Sequence, residues 1–204
     1  LSIHHQSDAI AIMNTDDIYE YLERIANLIR TDVRRTGVSS GLQPVQLEAL
    51  HYLGRCNRYS NTPVAVAEFL GLTKGTVSQT LGVLESNRLI EKQADAKDRR
   101  VVHLRLTYEG ERMVAESIPP QLIRSAFDGL SPVETAEVVG VLERVLRRLQ
   151  RANGLKTFGA CKTCRHHRVE EDGNRRCGLT TEPLSDFDAE QLCREHDPPS
   201  SAVA

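Results

Sequence analysis

Four cysteines in the last quarter of the chain, Cys161, Cys164, Cys177 and Cys193, fall at C-x2-C-x12-C-x15-C spacing. A close C-x-x-C pair lets one turn of backbone place two thiolates on one ion, and the two distant cysteines close loops around it. Four thiolates make a closed tetrahedral site, so zinc (Zn2+) is the default occupant and its role is structural. The same donors hold an iron-sulfur cluster, 2Fe-2S or 4Fe-4S, which would make the protein a sensor of iron, oxygen or redox state. A thiol-disulfide switch is a third reading, because Lys162 and Arg165 sit beside the pair and could lower thiol pKa. The absence of a second C-x-x-C makes the pattern less like a zinc ribbon. His166, His167 and His196 are expected to support the site or to be solvated, rather than to replace a cysteine. Cys56, in a stretch read as apolar helix, is expected to be a small buried hydrophobe.

What a metal does here depends on the elements around it. A chain of 204 residues is long enough for one well-buried domain and a small appendage. Its net charge of −2 excludes a uniformly basic nucleic-acid coat but leaves room for a local basic face. There is no apolar run of the roughly 18 residues a membrane helix needs. "LSIHHQSDAIAIMN" has no basic start followed by an apolar core, so no secretory signal is read there. A cytoplasmic protein with no membrane partner is expected, and in a reducing compartment clustered cysteines are metal ligands or redox thiols rather than disulfides. No Gly-rich phosphate loop, nucleophile elbow or paired carboxylate set stands in a convincing context, so no enzyme and no catalytic residue is expected. A thiol-redox enzyme built on Cys161 and Cys164 would want a thioredoxin-like βαβ setting, which the surrounding pattern lacks.

Residues 1–13 are read as a flexible leader and 198–204 as a flexible tail. From Asn14 to Val33, Ile18, Tyr21, Leu22, Ile25, Leu28, Ile29 and Val33 recur at helical intervals, and "TGVSSG" is expected to break that helix. A second helix starts near Pro44, and a third at Thr62-Pro63, a cap and first-turn pair. Thr73 can cap a fourth helix soon after Gly71, giving two short helices joined by a tight turn. Val77, Leu81 and Leu84 then share one face of the fourth helix, leaving Lys74, Gly75, Ser78 and Gln79 on the other. Such short polar groups let a backbone approach another surface closely. Asn87 is expected to take positive φ after the helix.

"RLIEKQADAKDRRVVHLRLT" alternates apolar and polar residues around a loop, the pattern of a β-hairpin with Lys97, Arg99 and Arg100 at its tip. Residues 72–105 hold seven Lys or Arg against four Asp or Glu, so basic charge is concentrated where helix and hairpin lie together. Lys97, Arg99 and Arg100 suit phosphates or a narrow minor groove. Ser78 and Gln79 are the candidates for base edges, while Lys74 and Thr76, near a helix N-terminus, suit phosphate. Thr107 can cap a fifth helix as far as Ile118, and Ser131-Pro132-Val133-Glu134 is a capping box opening a sixth. The terminal helices carry more apolar surface than the small middle unit can cover, and a partner chain is the simplest cover.

Helix, helix, helix-turn-helix, a hairpin reading "DAKDRR" and then "LTYEG" opening a long helix resemble the MarR family of winged-helix transcriptional regulators, over residues from about 14 to 153. The resemblance implies a mainly α fold with a small β-wing, and a homodimer formed by the first helix and the last two helices of this region. It places helix 73–86 in the major groove of a double-stranded DNA operator and the wing in the minor groove. It implies that Asp98 braces Arg99. Ala96 departs from the family pattern, which often has proline in the wing. The expected organisation is a helical dimerisation region, 14–37 and 107–153, a winged helix-turn-helix domain, 42–106, and a cysteine-rich metal-binding segment, 155–197.

The expected function is a sequence-specific regulator, a repressor, open to a small-molecule effector. The alternative is a protein-interaction adaptor built from a winged helix and a zinc-stapled tail. The segment's scattered Leu155, Phe158, Leu179, Leu184, Phe187 and Leu192 are too few for a core of their own, so a staple is expected. Placed after the dimerisation helix, its metal would have a lever on dimer geometry.

Overall fold

The first helix, α1 (Thr15–Ser40), starts where Asn14 Oδ1 accepts the backbone N–H of Asp16 at 2.7 Å and Asp17 returns its carboxylate to the Asn14 N–H at 2.7 Å. It continues through Gly37 instead of breaking at "TGVSSG": one interior glycine costs only about 1 kcal/mol relative to alanine. The structure, a computed structural model, describes residues 14–96, 98–154 and 156–199, except the side chains of 36–40. The leader, Lys97 and the last residues of the tail lie outside that range.

Caps written into the sequence start the next elements. Gln46 Oε1 accepts the Gln43 N–H ahead of α2 (Pro44–Leu53), Thr62 caps α3 (Pro63–Leu70), and Thr73 caps α4 (Lys74–Ser86). Residues Leu47, Leu50, Val66, Val77, Leu81 and Leu84 of these helices form the core with Ile90 and Leu104 of the wing. The wing is an antiparallel pair, β1 (Ile90–Ala94) and β2 (Val102–Leu106), with Ile90 opposite Leu106. Asn87 keeps φ at −81°, and the left-handed residue is Arg88 at 58°.

Thr107 caps α5 (Tyr108–Ser117) and also donates its hydroxyl to the Arg88 carbonyl at 2.6 Å. Gly110 follows because α5 lies against the Leu89 carbonyl, where an added Cβ would stand 2.1 Å from that oxygen. A short α6 (Gln121–Ala126), with no separate signal in the sequence, precedes α7 (Pro132–Ala152), which opens on the Ser131–Glu134 capping box. The remainder is a small β unit: a 3-10 turn at Cys161–Thr163, a three-stranded sheet of β3 (His167–Val169), β4 (Arg175–Cys177) and β5 (Pro183–Leu184), and α8 (Asp186–Glu190). Among the described residues no helix is long and apolar enough to cross a membrane.

Candidate nucleic-acid interface and cysteine centre

On α4, burial of Val77, Thr80, Leu81 and Leu84 turns Lys74, Gly75, Thr76, Ser78 and Gln79 outward. Ser78 and Gln79 are exposed mid-helix, where side chains can reach into a groove. The Thr76 hydroxyl lies 2.9 Å from that of Thr73, so it is part of the cap as well as of the surface. Lys74 and Arg99 are exposed and make no ion pair with a described residue. Lys92 of β1 differs: its ammonium lies 2.6 Å from Glu85 and ties the wing to the end of α4.

At the wing tip Asp98 grips Arg100, not Arg99. Its carboxylate accepts the Arg100 backbone N–H at 3.0 Å and the guanidinium at 2.8 Å. That pairing holds Asp98 below the usual carboxylate range. The Asp95 carboxylate accepts the Asp98 N–H at 2.8 Å and lies 3.1 Å from His103 Nε2, whose Nδ1 is 2.6 Å from Asn61 Oδ1. The Leu104 N–H donates to the Asn61 carbonyl at 2.7 Å. Asn61, Asp95 and His103 therefore fix the wing to the α2–α3 loop, a role sequence reading missed; the one available signal was Asp95 three residues before Asp98, the separation at which a carboxylate caps a backbone N–H.

Away from this head the helices stay apolar on their outer faces. Ile18, Tyr21, Ile25 and Leu28 of α1 and Leu142, Leu146 and Leu149 of α7 are all at least half exposed.

The cysteine segment does not hang from α7 as an appendage; it is built into the head. Leu192 bridges to Cys56 on one side and Ala160 on the other. The Asn57 N–H donates to the Leu192 carbonyl at 2.9 Å, Leu192 N–H to Arg55 at 2.8 Å, and Cys193 N–H to Gly159 at 2.9 Å. Phe158 is 7% exposed and enters the head core, its ring centroid 5.2 Å from that of Phe69 and 6.0 Å from that of Tyr52. Arg194 makes a two-pronged pair with Glu68 at 2.6 and 2.7 Å, holding that carboxyl below its ordinary range. Arg58 reaches the Pro183 carbonyl and lies 3.8 Å from Asp188. These contacts tie the segment to the head, while Gln150 of α7 also donates to the Thr157 carbonyl at 2.9 Å. Cys56 lies in the bridge after α2 rather than in a helix, and burial pushes its thiol up to about 12.

Cys161, Cys164, Cys177 and Cys193 all line one cavity of about 40 Å³. Among the described residues no set of three or more potential ligands stands in metal-holding geometry. The thiols nonetheless feel one another: burial, then the charges of Cys193, Cys177 and Cys164, push Cys161 up to about 12. Backbone N–H groups are aimed at the sulfurs. Asp197 N–H lies 3.4 Å from Cys164 Sγ, and Leu179 and Thr180 donate to Cys177, which together outweigh its burial and lower it. Burial pushes Cys193 up against the opposing side chain of Asn57 and backbone of Glu195. Lys162 and Arg165, which favoured a redox reading, are paired with Glu190 at 2.6 Å and Asp197 at 2.7 Å. His196 has its ring nitrogens 2.6 Å from Thr157 Oγ1 and 2.9 Å from Thr163 Oγ1, a brace rather than a ligand. Gly159 makes room for that ring, since a Cβ there would meet it at 2.5 Å.

Comparison with known proteins follows the same division. Residues 40–101 match the model of the MarR family. The chain is 29% identical over 139 residues to the uncharacterized HTH-type transcriptional regulator YsmB of Bacillus subtilis (strain 168), covering 66% of this chain and 89% of that protein. It is 26% identical over 113 residues to the transcriptional repressor MprA of Escherichia coli (strain K12), covering 54% and 64%. The crystal structure of Streptococcus pneumoniae FabT in complex with DNA is similar at a TM-score of 0.55 and 26% identity, over 68% of this chain and 99% of that one.

Proposed function

We propose that the protein is a MarR-family transcriptional regulator, a cytoplasmic homodimeric repressor that reads double-stranded DNA with α4 and the wing. The observation that carries the reading is the outward polar face of α4, Lys74, Ser78 and Gln79, on the same head as a wing presenting Arg99 and Arg100. Support comes from a relative named as a repressor and from a similar structure solved in complex with DNA. Gln79 and Ser78 read base edges; Lys74, Thr76, Arg99 and Arg100 contact phosphate or the minor groove, and Lys97, outside the described residues, is proposed for the same role from its place in the sequence. Asp98 holds Arg100 ready, so that less side-chain freedom is lost on binding.

The apolar faces of α1 and α7 form the dimer interface, which sets the spacing of two α4 helices on successive major grooves. A cleft of about 540 Å³ between α7 and the cysteine segment, lined by Arg55, Leu146, Gln150 and Phe158, is of the size that takes a small-molecule effector.

Fluorescence anisotropy against duplexes selected from a random pool tests the reading. Affinity is expected to fall with salt, and Arg99→Ala is expected to weaken binding to all sequences and reduce the log-log slope by about 0.9. Gln79→Ala is expected to remove about 1–3 kcal/mol of discrimination at particular base pairs. Binding no stronger than to a non-specific competitor would overturn the reader and favour the adaptor. In sedimentation, Leu142→Glu, at a position 53% exposed, is expected to halve the mass without unfolding the head. An unchanged mass would remove α7 from the interface.

A further inference from the structure

We propose that Cys161, Cys164, Cys177 and Cys193 bind one thiophilic divalent cation, zinc by its chemistry, and that this ion pins the α2–α3 loop, and through it the wing, by way of Asn57. The first half stands on the segment alone; the effect on DNA rests on the reading proposed above.

The donors converge on one cavity from separate elements: the 3-10 turn, the end of β4 and the strip around Leu192. Four sulfurs without oxygen donors select a soft ion and exclude calcium or magnesium. The cavity the thiols share has a volume of about 40 Å³, room enough for a bound ion. The Asp197 N–H, 3.4 Å from Cys164 Sγ, is the kind of donor that a negatively charged tetrathiolate centre requires around it. The nearby cations are committed to Glu190 and Asp197 and both nitrogens of His196 to threonines; His166 and His167 also line the cavity, with His167 Nδ1 3.8 Å from Cys161 Sγ, and the four cysteines are the ligands this proposal assigns.

The link to the head is a buried amide. Asn57 is 2% exposed, and its Nδ2 has no hydrogen-bond partner among the described residues while its side chain faces Cys193. A metal-bound thiolate is the acceptor that such a donor lacks. The same residue accepts the Ser60 hydroxyl at 2.7 Å on Oδ1 and donates its N–H to Leu192. Ser60 Oγ in turn accepts the N–H of Arg194, next to Cys193, at 2.8 Å. One residue further, Asn61 holds His103 and Leu104 of the wing. A continuous chain of hydrogen bonds and adjacent residues thus runs from the thiols to the wing base.

The test uses the full chain purified without oxygen. Elemental analysis is expected to give one zinc per chain, and exchange into cobalt to give the intense thiolate charge-transfer and visible bands of a tetrahedral site. Chelation is expected to speed amide hydrogen exchange at Asn57, Ser60 and Leu104, and to weaken duplex binding about tenfold. Asn57→Ala, which leaves all four thiols, is expected to keep the metal and to lose this dependence on it. Less than stoichiometric metal, or iron with sulfide, overturns the mononuclear centre. Full zinc occupancy with exchange unchanged on chelation overturns the pin. Because metal content and exchange need no DNA, failure to bind any duplex would strike the DNA-reading proposal and leave these two results standing.

Discussion

Phe158→Ala is expected to destabilise the protein by about 3–5 kcal/mol, although the residue lies outside the part of the chain that matches the family. Its ring is a third member of the aromatic cluster with Tyr52 and Phe69, whose own centroids are 4.5 Å apart. Removing it leaves a void against α2 and α3 that two aromatic rings cannot fill without shifting α3. The backbone at Phe158 is left-handed, with φ at 45°, a conformation that costs on the order of 1–3 kcal/mol in a non-glycine residue and is offset by the burial of its ring and the bonds of its neighbours Thr157 and Gly159. Alanine keeps the strain and loses the burial. Urea denaturation followed by two probes checks this, and a loss below about 1 kcal/mol would show that the segment does not share the head core.

Gly110→Ala makes the opposite bet, because helix propensity alone predicts a gain of about 1 kcal/mol for alanine inside α5. Propensity loses here. The new Cβ would lie 2.1 Å from the Leu89 carbonyl oxygen and 3.1 Å from its carbon, and backbone cannot step aside as a flexible side chain does. Relief requires α5 to withdraw from the Arg88–Leu89 turn, which stretches the Thr107 N–H bond to Leu89, now 3.1 Å, and the Thr107 hydroxyl bond to Arg88. A net loss of about 1–3 kcal/mol is expected, with chemical-shift changes centred on residues 88–90. A raised melting temperature would contradict the packing described here.

Features whose chemistry is local were legible. Thr62, Thr73, Thr107 and Ser131 each act on an N–H three residues ahead, so the helix starts could be read directly. Alternation around the wing was legible for the same reason. The cysteine spacing also stood out, but not its surroundings. Leu192 pairs with Cys56 across most of the chain, and no periodicity near either residue signals it. Phe158 looked like one of a few stray apolar residues because its partners are in α2 and α3. The partner of Asp98 was misassigned because a turn decides which of two adjacent arginines folds back, and the turn depends on Asp95. Arg88 rather than Asn87 takes the left-handed position, and its carbonyl accepts the Thr107 hydroxyl from 19 residues away, beyond the reach of a local signal.

The bond from Arg194 to Ser60 spans 134 residues, and during synthesis that interval has a duration. At about 5–20 residues per second, ribosomes need roughly 7–27 s to make it. Until then Tyr52, Phe69 and Asn57 wait for partners that do not yet exist. The part of a growing chain that carries α2 and α3 is therefore an unfinished core, and a product cut short before Cys193 leaves it so. Placing the completing segment 134 residues after Ser60 makes synthesis as far as Arg194 a condition for the fully bonded head.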